Sequence, residues 1–72
     1  MFRVKYSDGR TKIRDGYGFY AAHAIGHDEG AVLVDVKEVR PGIFEVYEAT
    51  ATTVAALANP TVGRLIATAE QL

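Results

Sequence analysis

The sequence predicts a small α+β domain: an antiparallel sheet from two hairpins with helices laid against it, in the order ββ-α-ββ-α-α. Three observations carry this. Two turn signals, Asp8-Gly9 and Pro41-Gly42, each stand between runs of alternating apolar and polar residues. Tyr17, Ala21, Ala24 and Ile25 lie at helical spacing between those hairpins. The last third is alanine-rich, with apolar residues at helical intervals. Hairpins with helices segregated around their sheet define the α+β class.

Phe2, Val4 and Tyr6 alternate with Arg3 and Lys5, and Thr11 and Ile13 alternate with Lys12 and Arg14. A period of two puts successive side chains on opposite faces of a strand. Asp-Gly between two such runs is the strongest short hairpin signal, and a two-residue type I′ turn sets the register. Tyr6 then faces Thr11 and Val4 faces Ile13, while Lys5 faces Lys12 and Arg3 faces Arg14. One side of this hairpin is expected to be apolar and the other cationic. Asp15 is placed to cap the following helix through its carboxylate. That helix is expected to end near Ile25, with Gly26 just past its cap and His27-Asp28-Glu29-Gly30 as a loop.

Val32, Val34 and Val36 form a β-branched strand. Arg40-Pro41-Gly42-Ile43 turns because proline sets the backbone at the second position and glycine tolerates positive φ at the third. The next strand runs from Ile43 to about Ala49 with Phe44 and Val46 on one face. A two-residue connection sets Glu38 against Glu45; a bulged one sets Lys37 against Glu45, the favourable pairing. Thr52 or Thr53 is expected to cap a short helix through Ala58, stopped by Asn59-Pro60. Asn59 then caps a final helix whose apolar stripe is Val62, Leu65, Ile66 and Ala69. The expected core is Val4, Ile13, Val32, Val34, Val36, Phe44 and Val46, with Phe2, Tyr6 and Tyr17 beside it.

The 72 residues make a single domain, 1–72. A chain this short buries only about 60% of its unfolded surface, so its stability is marginal unless helped. The chain has no cysteine, which excludes disulfides and thiolate metal ligands. No apolar run nears the roughly 18–20 residues of a membrane span, and the alternating start is unlike a secretory leader. The expectation is a cytoplasmic protein without membrane contact or cofactor.

The net charge of −1 is unevenly spread. Arg3, Lys5, Arg10, Lys12 and Arg14 stand against Asp8 alone at the start. Acids dominate the middle, and Ala49 to Gly63 carries no charge. Like charges opposite each other destabilise a hairpin. The basic set therefore reads either as a surface for phosphates or an acidic protein, or as one neutralised within the sheet by Asp35, Glu45 or Glu48. Val54, Leu57, Val62, Leu65 and Ile66, in and after the uncharged segment, form the expected interface for a second copy or a partner.

Catalytic parts are missing. Ser7, the only serine, flanks a hairpin turn and not a strand-to-helix elbow. Gly16-Tyr17-Gly18-Phe19-Tyr20-Ala21 matches a dinucleotide fingerprint in spacing, but it follows a hairpin and leaves no room for a parallel sheet. His23 and His27 have the helical spacing of two metal ligands; with Gly26 ending the helix between them they would not share a face. No catalytic or metal-binding residue is therefore assigned. The sequence points to a non-catalytic protein-binding module, a small inhibitor or accessory protein of the kind phages and mobile elements carry. A homodimer is expected at micromolar concentration, since a small core without staples gains from further burial. The alternative is a nucleic-acid-binding domain using the basic hairpin, although such domains usually have a basic balance. A metal protein or minor enzyme using His23 and His27 ranks third.

Overall fold

A computed structural model describes residues 1–72. The elements are β1 (Phe2–Tyr6), β2 (Thr11–Arg14), α1 (Gly18–Asp28), β3 (Leu33–Arg40), β4 (Ile43–Thr50), a 3₁₀ turn (Ala55–Ala58) and β5 (Thr61–Gln71). The strands form one antiparallel sheet in the order β2-β1-β5-β4-β3. The α+β class holds, but there is one α-helix, and the expected final helix is the central strand. β5 inserts between the hairpins and joins them: Val4 pairs Ala69 on one side, and Ala69 pairs Phe44 on the other.

The Asp8-Gly9 tip is where it was expected, but its turn is one residue longer. Gly9 N–H donates to the Tyr6 carbonyl at 3.0 Å, and Tyr6 N–H donates to the Arg10 carbonyl at 2.9 Å. Gly9 has φ +97°. The loop is therefore Ser7-Asp8-Gly9, a three-residue turn closed by a glycine in the left-handed region. One extra residue shifts the pairing: Arg3 faces Ile13, Val4 faces Lys12 and Phe2 faces Arg14. A shift by one sends a strand's side chains to the other face. Ile13, expected in the core, is 54% exposed.

The Pro41-Gly42 hairpin keeps its expected register, with Lys37 opposite Glu45 and a bulge between Glu38 and Arg40. Gly42 has φ +79°, as a type II turn requires at its third position. Its amide donates to Glu38 Oε2 at 2.9 Å. Val36, Phe44 and Val46 are buried, and Val34 packs against the core. Val32 precedes the strand and is 87% exposed, so it leaves the expected core.

α1 crosses one face of the sheet, over a core containing Phe2, Val4, Ile25, Val46 and Ala69. It runs three residues beyond Ile25, through Gly26. A Cβ on Gly26 would stand 2.6 and 2.8 Å from the Val34 methyls and 3.1 Å from Val46 Cγ1, so this glycine is there for close approach. The helix ends instead at Glu29-Gly30-Ala31: Gly30 N–H donates to the His27 carbonyl and Ala31 N–H to the Gly26 carbonyl. This pair of bonds is a Schellman closure. Asp15 does not cap the helix; the N-cap is Tyr17, without a side-chain bond. The first helical amide, Gly18 N–H, donates to Gln71 Oε1 at 2.9 Å. Gln71 Nε2 donates to the Met1 carbonyl at 2.7 Å, so the end of β5 ties the helix start to β1. Gly16 lies where a Cβ would meet Ala21 Cβ at 2.8 Å, which gives the glycine-rich stretch a packing role.

Candidate functional site

The register decides what the basic residues can do together. Lys12 and Arg14 lie across from Val4 and Phe2, on the helix side of the sheet; Arg3 and Lys5 lie on the open side, beside Ile13 and Thr11. The single cationic hairpin face does not exist. Arg10 pairs with Asp8 at 2.6 Å and with Glu29, and its guanidinium lies 4.4 Å from the centre of the Tyr6 ring. Arg14 pairs with Asp28 and donates to the Tyr6 hydroxyl at 3.0 Å. These partners hold both guanidinium groups above their ordinary pKa, chiefly through the Glu29 bond for Arg10 and the Tyr6 bond for Arg14. Arg10 and Arg14 thus strap the first hairpin to the carboxylates at the end of α1. Asp35, Glu45 and Glu48, the acids that the neutralised alternative relied on, pair with none of these residues; Glu70 meets Arg3, Asp8 and Glu29 meet Arg10, Asp28 meets Arg14, and Lys5 and Lys12 have no ion pair.

The open face, opposite α1, gathers charges from four strands. Following the cross-strand pairs, one row reads Arg40, Ile43, Glu70, Arg3 and Ile13. The next reads Lys37, Glu45, Thr68, Lys5 and Thr11. Arg3 Nη1 meets Glu70 Oε1 at 2.9 Å, while Lys5 and Arg40 have no ion pair. The Tyr47 hydroxyl donates to Glu45 at 2.8 Å, and that bond is the main cause holding the phenol above its ordinary pKa. Lys37 Nζ lies 5.4 Å from the Tyr47 ring centre. Between the rows is a depression of about 200 Å³ lined by Arg3, Lys5, Arg40, Ile43, Thr68 and Glu70. A smaller one of about 110 Å³ lies under the first turn, where Asp8, Arg10 and Glu29 already satisfy one another.

The uncharged segment forms an arm at the far end of β5. β1 pairs with β5 only from Ala67 to Gln71, whereas β4 follows it back to Thr61. One edge of Thr61–Leu65 is therefore without a strand partner. The Thr53 hydroxyl accepts the Ala56 amide at 3.1 Å, so the expected capping residue starts a 3₁₀ turn and not an α-helix. Val54 is 87% exposed and Leu57 56%, and Val62, in the first residues of β5, is exposed as well. Leu65 is half-buried, and Ile66 belongs to the core.

The helix start carries a feature the sequence reading missed. Tyr17, expected near the core, is exposed, and Tyr20 is 89% exposed. Phe19 and Tyr20 flank the His23 ring at 4.8 and 6.5 Å. The signal was present in Tyr17, Phe19 and Tyr20 as a run too dense in aromatics for one helical face to bury. Because α1 continues past Gly26, His23 and His27 share a side of the helix after all. Each ring Nδ1 donates to a carbonyl, His23 to Phe19 at 3.1 Å and His27 to Ala31 at 2.9 Å. No third carboxylate or histidine joins them in a group that could hold a metal ion. No helix is long and apolar enough to cross a membrane.

No protein-family model matches the chain, and no curated protein or solved structure is similar enough to it to count as a relative.

Proposed function

We propose that this chain is a non-catalytic, cytoplasmic protein-binding module of the inhibitor or accessory type, in its simplest form a homodimer. The observation that carries the reading is the arm. Val54, Leu57 and Val62 are exposed on an uncharged segment that leads into and begins β5, whose edge over Thr61–Leu65 has no strand partner on the β1 side. An open edge is a template for another strand, and exposed apolar side chains beside it supply the burial that strand pairing alone lacks. The nucleic-acid reading loses support from the same geometry, since the basic residues are divided between two faces and three of the arginines are paired with acids.

Sedimentation equilibrium tests the homodimer. The expected result is association at micromolar concentration that weakens at least about tenfold, roughly 1.4 kcal/mol, in Leu57→Asp. If both proteins stay monomeric to millimolar concentration, the homodimer fails. The module reading then requires capture of a protein from native host lysate, in the presence of nuclease, by the wild type and not by Leu57→Asp. Recovery that nuclease abolishes overturns it in favour of nucleic acid.

A further inference from the structure

The open face holds two cations, Lys5 and Arg40, that the fold pairs with no carboxylate, beside the paired Arg3. Arg3, Lys5 and Arg40 surround the depression of about 200 Å³, with Glu70 as its one carboxylate. Glu70 is committed to Arg3, and neither Lys5 nor Arg40 has an ion-pair partner. Arg3 and Arg40 come from β1 and β3, with β5 and β4 between them. Three strand spacings set their backbones about 14 Å apart, and Lys5 lies about 7 Å along β1 from Arg3. Ile43 and Thr68 line the space between. Such a surface attracts negative charge at two separated places over a partly apolar surface. A compact dianion placed at the centre would sit against Glu70. An extended chain carrying carboxylates four residues apart, with an uncharged residue between them on the same side, avoids it, because side chains on one side of a strand recur about every 7 Å and every second one about every 14 Å.

We propose that this depression docks an acidic, extended segment of a protein partner, with one carboxylate at Arg40 and another at Lys5 and Arg3. The proposal rests on the protein-binding reading but uses a different surface from the arm. Glu70 acts there as a selectivity element. It holds Arg3 in place and repels any acidic segment that crosses the centre of the sheet, so a partner must straddle it. Like-charge contacts of this kind discriminate partners more than they add affinity.

The test is a titration of isotope-labelled protein with a peptide repeating Glu-Val-Thr-Val, which sets glutamates four residues apart, followed by amide shifts in NMR. A lysine-for-glutamate peptide and a thymidine oligonucleotide serve as comparisons. The expected result is saturable shifts at Arg3, Lys5, Arg40, Ile43 and Thr68 with the acidic peptide alone. Arg40→Gln should weaken binding about tenfold, with an unchanged urea midpoint, because its side chain has no partner in the fold. Glu70→Gln should tighten binding several-fold, a gain that damage to the fold cannot produce. Leu57→Asp should leave this titration unchanged, so failure at the arm and failure at the open face show separately. Shifts centred on Lys12 and Arg14, tighter binding of the oligonucleotide, or no saturable binding would each overturn the proposal.

Discussion

The two hairpins reach the helix by different means. β3 and β4 meet α1 through direct packing, with Val34 and Val46 closing on Gly26 and Phe19 meeting the Phe44 ring at 6.3 Å. β1 adds Phe2, Val4 and Tyr6 to the same core. β2 adds nothing to it: Thr11, Lys12 and Ile13 are exposed, and Arg14 is only half-buried. What joins the β2 side to α1 is charge, Arg10 to Glu29 and Arg14 to Asp28. Burial contributes about 25 cal/mol per Å² of apolar surface, whereas exposed ion pairs contribute about 0–1 kcal/mol each. The four strands β1, β5, β4 and β3 with α1 therefore carry the fold, and β2 is an appended strip. In a small sheet, hairpin membership does not make a strand part of the core.

The largest test of that difference acts on the packed hairpin. Gly26→Leu puts a side chain into space held by Val34 and Val46, whose methyls lie within 3.1 Å of the first added carbon. Those methyls sit on strand backbone inside the sheet and cannot withdraw far. Overpacking of this kind typically costs about 1–3 kcal/mol, and this site should fall at the upper end despite the roughly 1 kcal/mol that leaving glycine returns to a helix. A domain of this size has a total stability on the order of 4–11 kcal/mol. Urea denaturation should show a lower midpoint with an unchanged slope. A midpoint equal to wild type would mean that α1 does not rest on β3 and β4 as described.

A middle-sized test sharpens the comparison within the first hairpin. Under a two-residue turn Val4 and Ile13 would be cross-strand partners on one apolar face. In the observed register Val4 is fully buried and Ile13 faces Arg3 on the open side. Val4→Ala should cost about 2 kcal/mol, for the lost methyl groups and the space they leave. Ile13→Ala should stay within about 0.5 kcal/mol, as surface substitutions do. Equal losses at both positions in urea melts would restore the shorter turn and the single cationic face.

The same residues show how far the sequence could be read. Pro41-Gly42 was legible to the register because like charges excluded the competing alignment: Glu38 would have faced Glu45, and the bulge set Lys37 there instead. Asp8-Gly9 located a tip but not a loop length, since Asp-Gly serves both two-residue and three-residue turns. The misassigned face followed from that single residue. β5 was misread for a different reason. Val62, Leu65, Ile66 and Ala69 fit a helical stripe, and alanine favours helix. Yet Ala67, Ala69 and Gln71 also alternate with Thr68 and Glu70, and the alanines are small because they lie in the core beneath α1. Neither hairpin alone reveals that a central strand is needed between them. That need is tertiary, and it overrides local propensity. Of the candidate surfaces, the exposed arm residues Val54, Leu57 and Val62 were readable from missing charge. The grouping of Arg40 with Arg3 and Lys5 was not, because it depends on β5 and β4 lying between their strands.

The smallest test concerns the turn that holds the appended strip. Asp8 accepts the Arg10 amide at 3.0 Å and the Arg10 Nε–H at 2.6 Å. These bonds, the backbone one foremost, hold its carboxyl below the ordinary value of 3.8. A carboxylate with a depressed pKa in the folded state contributes stability that is fully present above its unfolded pKa. That contribution is lost as pH falls through the folded pKa. The turn should therefore be unchanged from neutrality down to about pH 4 and loosen only below it, within the acid range where carboxylates titrate. Because the group is exposed, the effect should be local to the β1–β2 tip. Amide exchange measured by NMR against pH should show Arg10 and Gly9 losing protection in acid before Val46, which lies in the packed hairpin. Asp8→Asn keeps an acceptor oxygen but removes the titration, so the pH dependence at Arg10 should flatten. If Arg10 and Val46 instead lose protection together in the wild type, the charged strip and the packed hairpin open as one unit, and the division drawn between them fails.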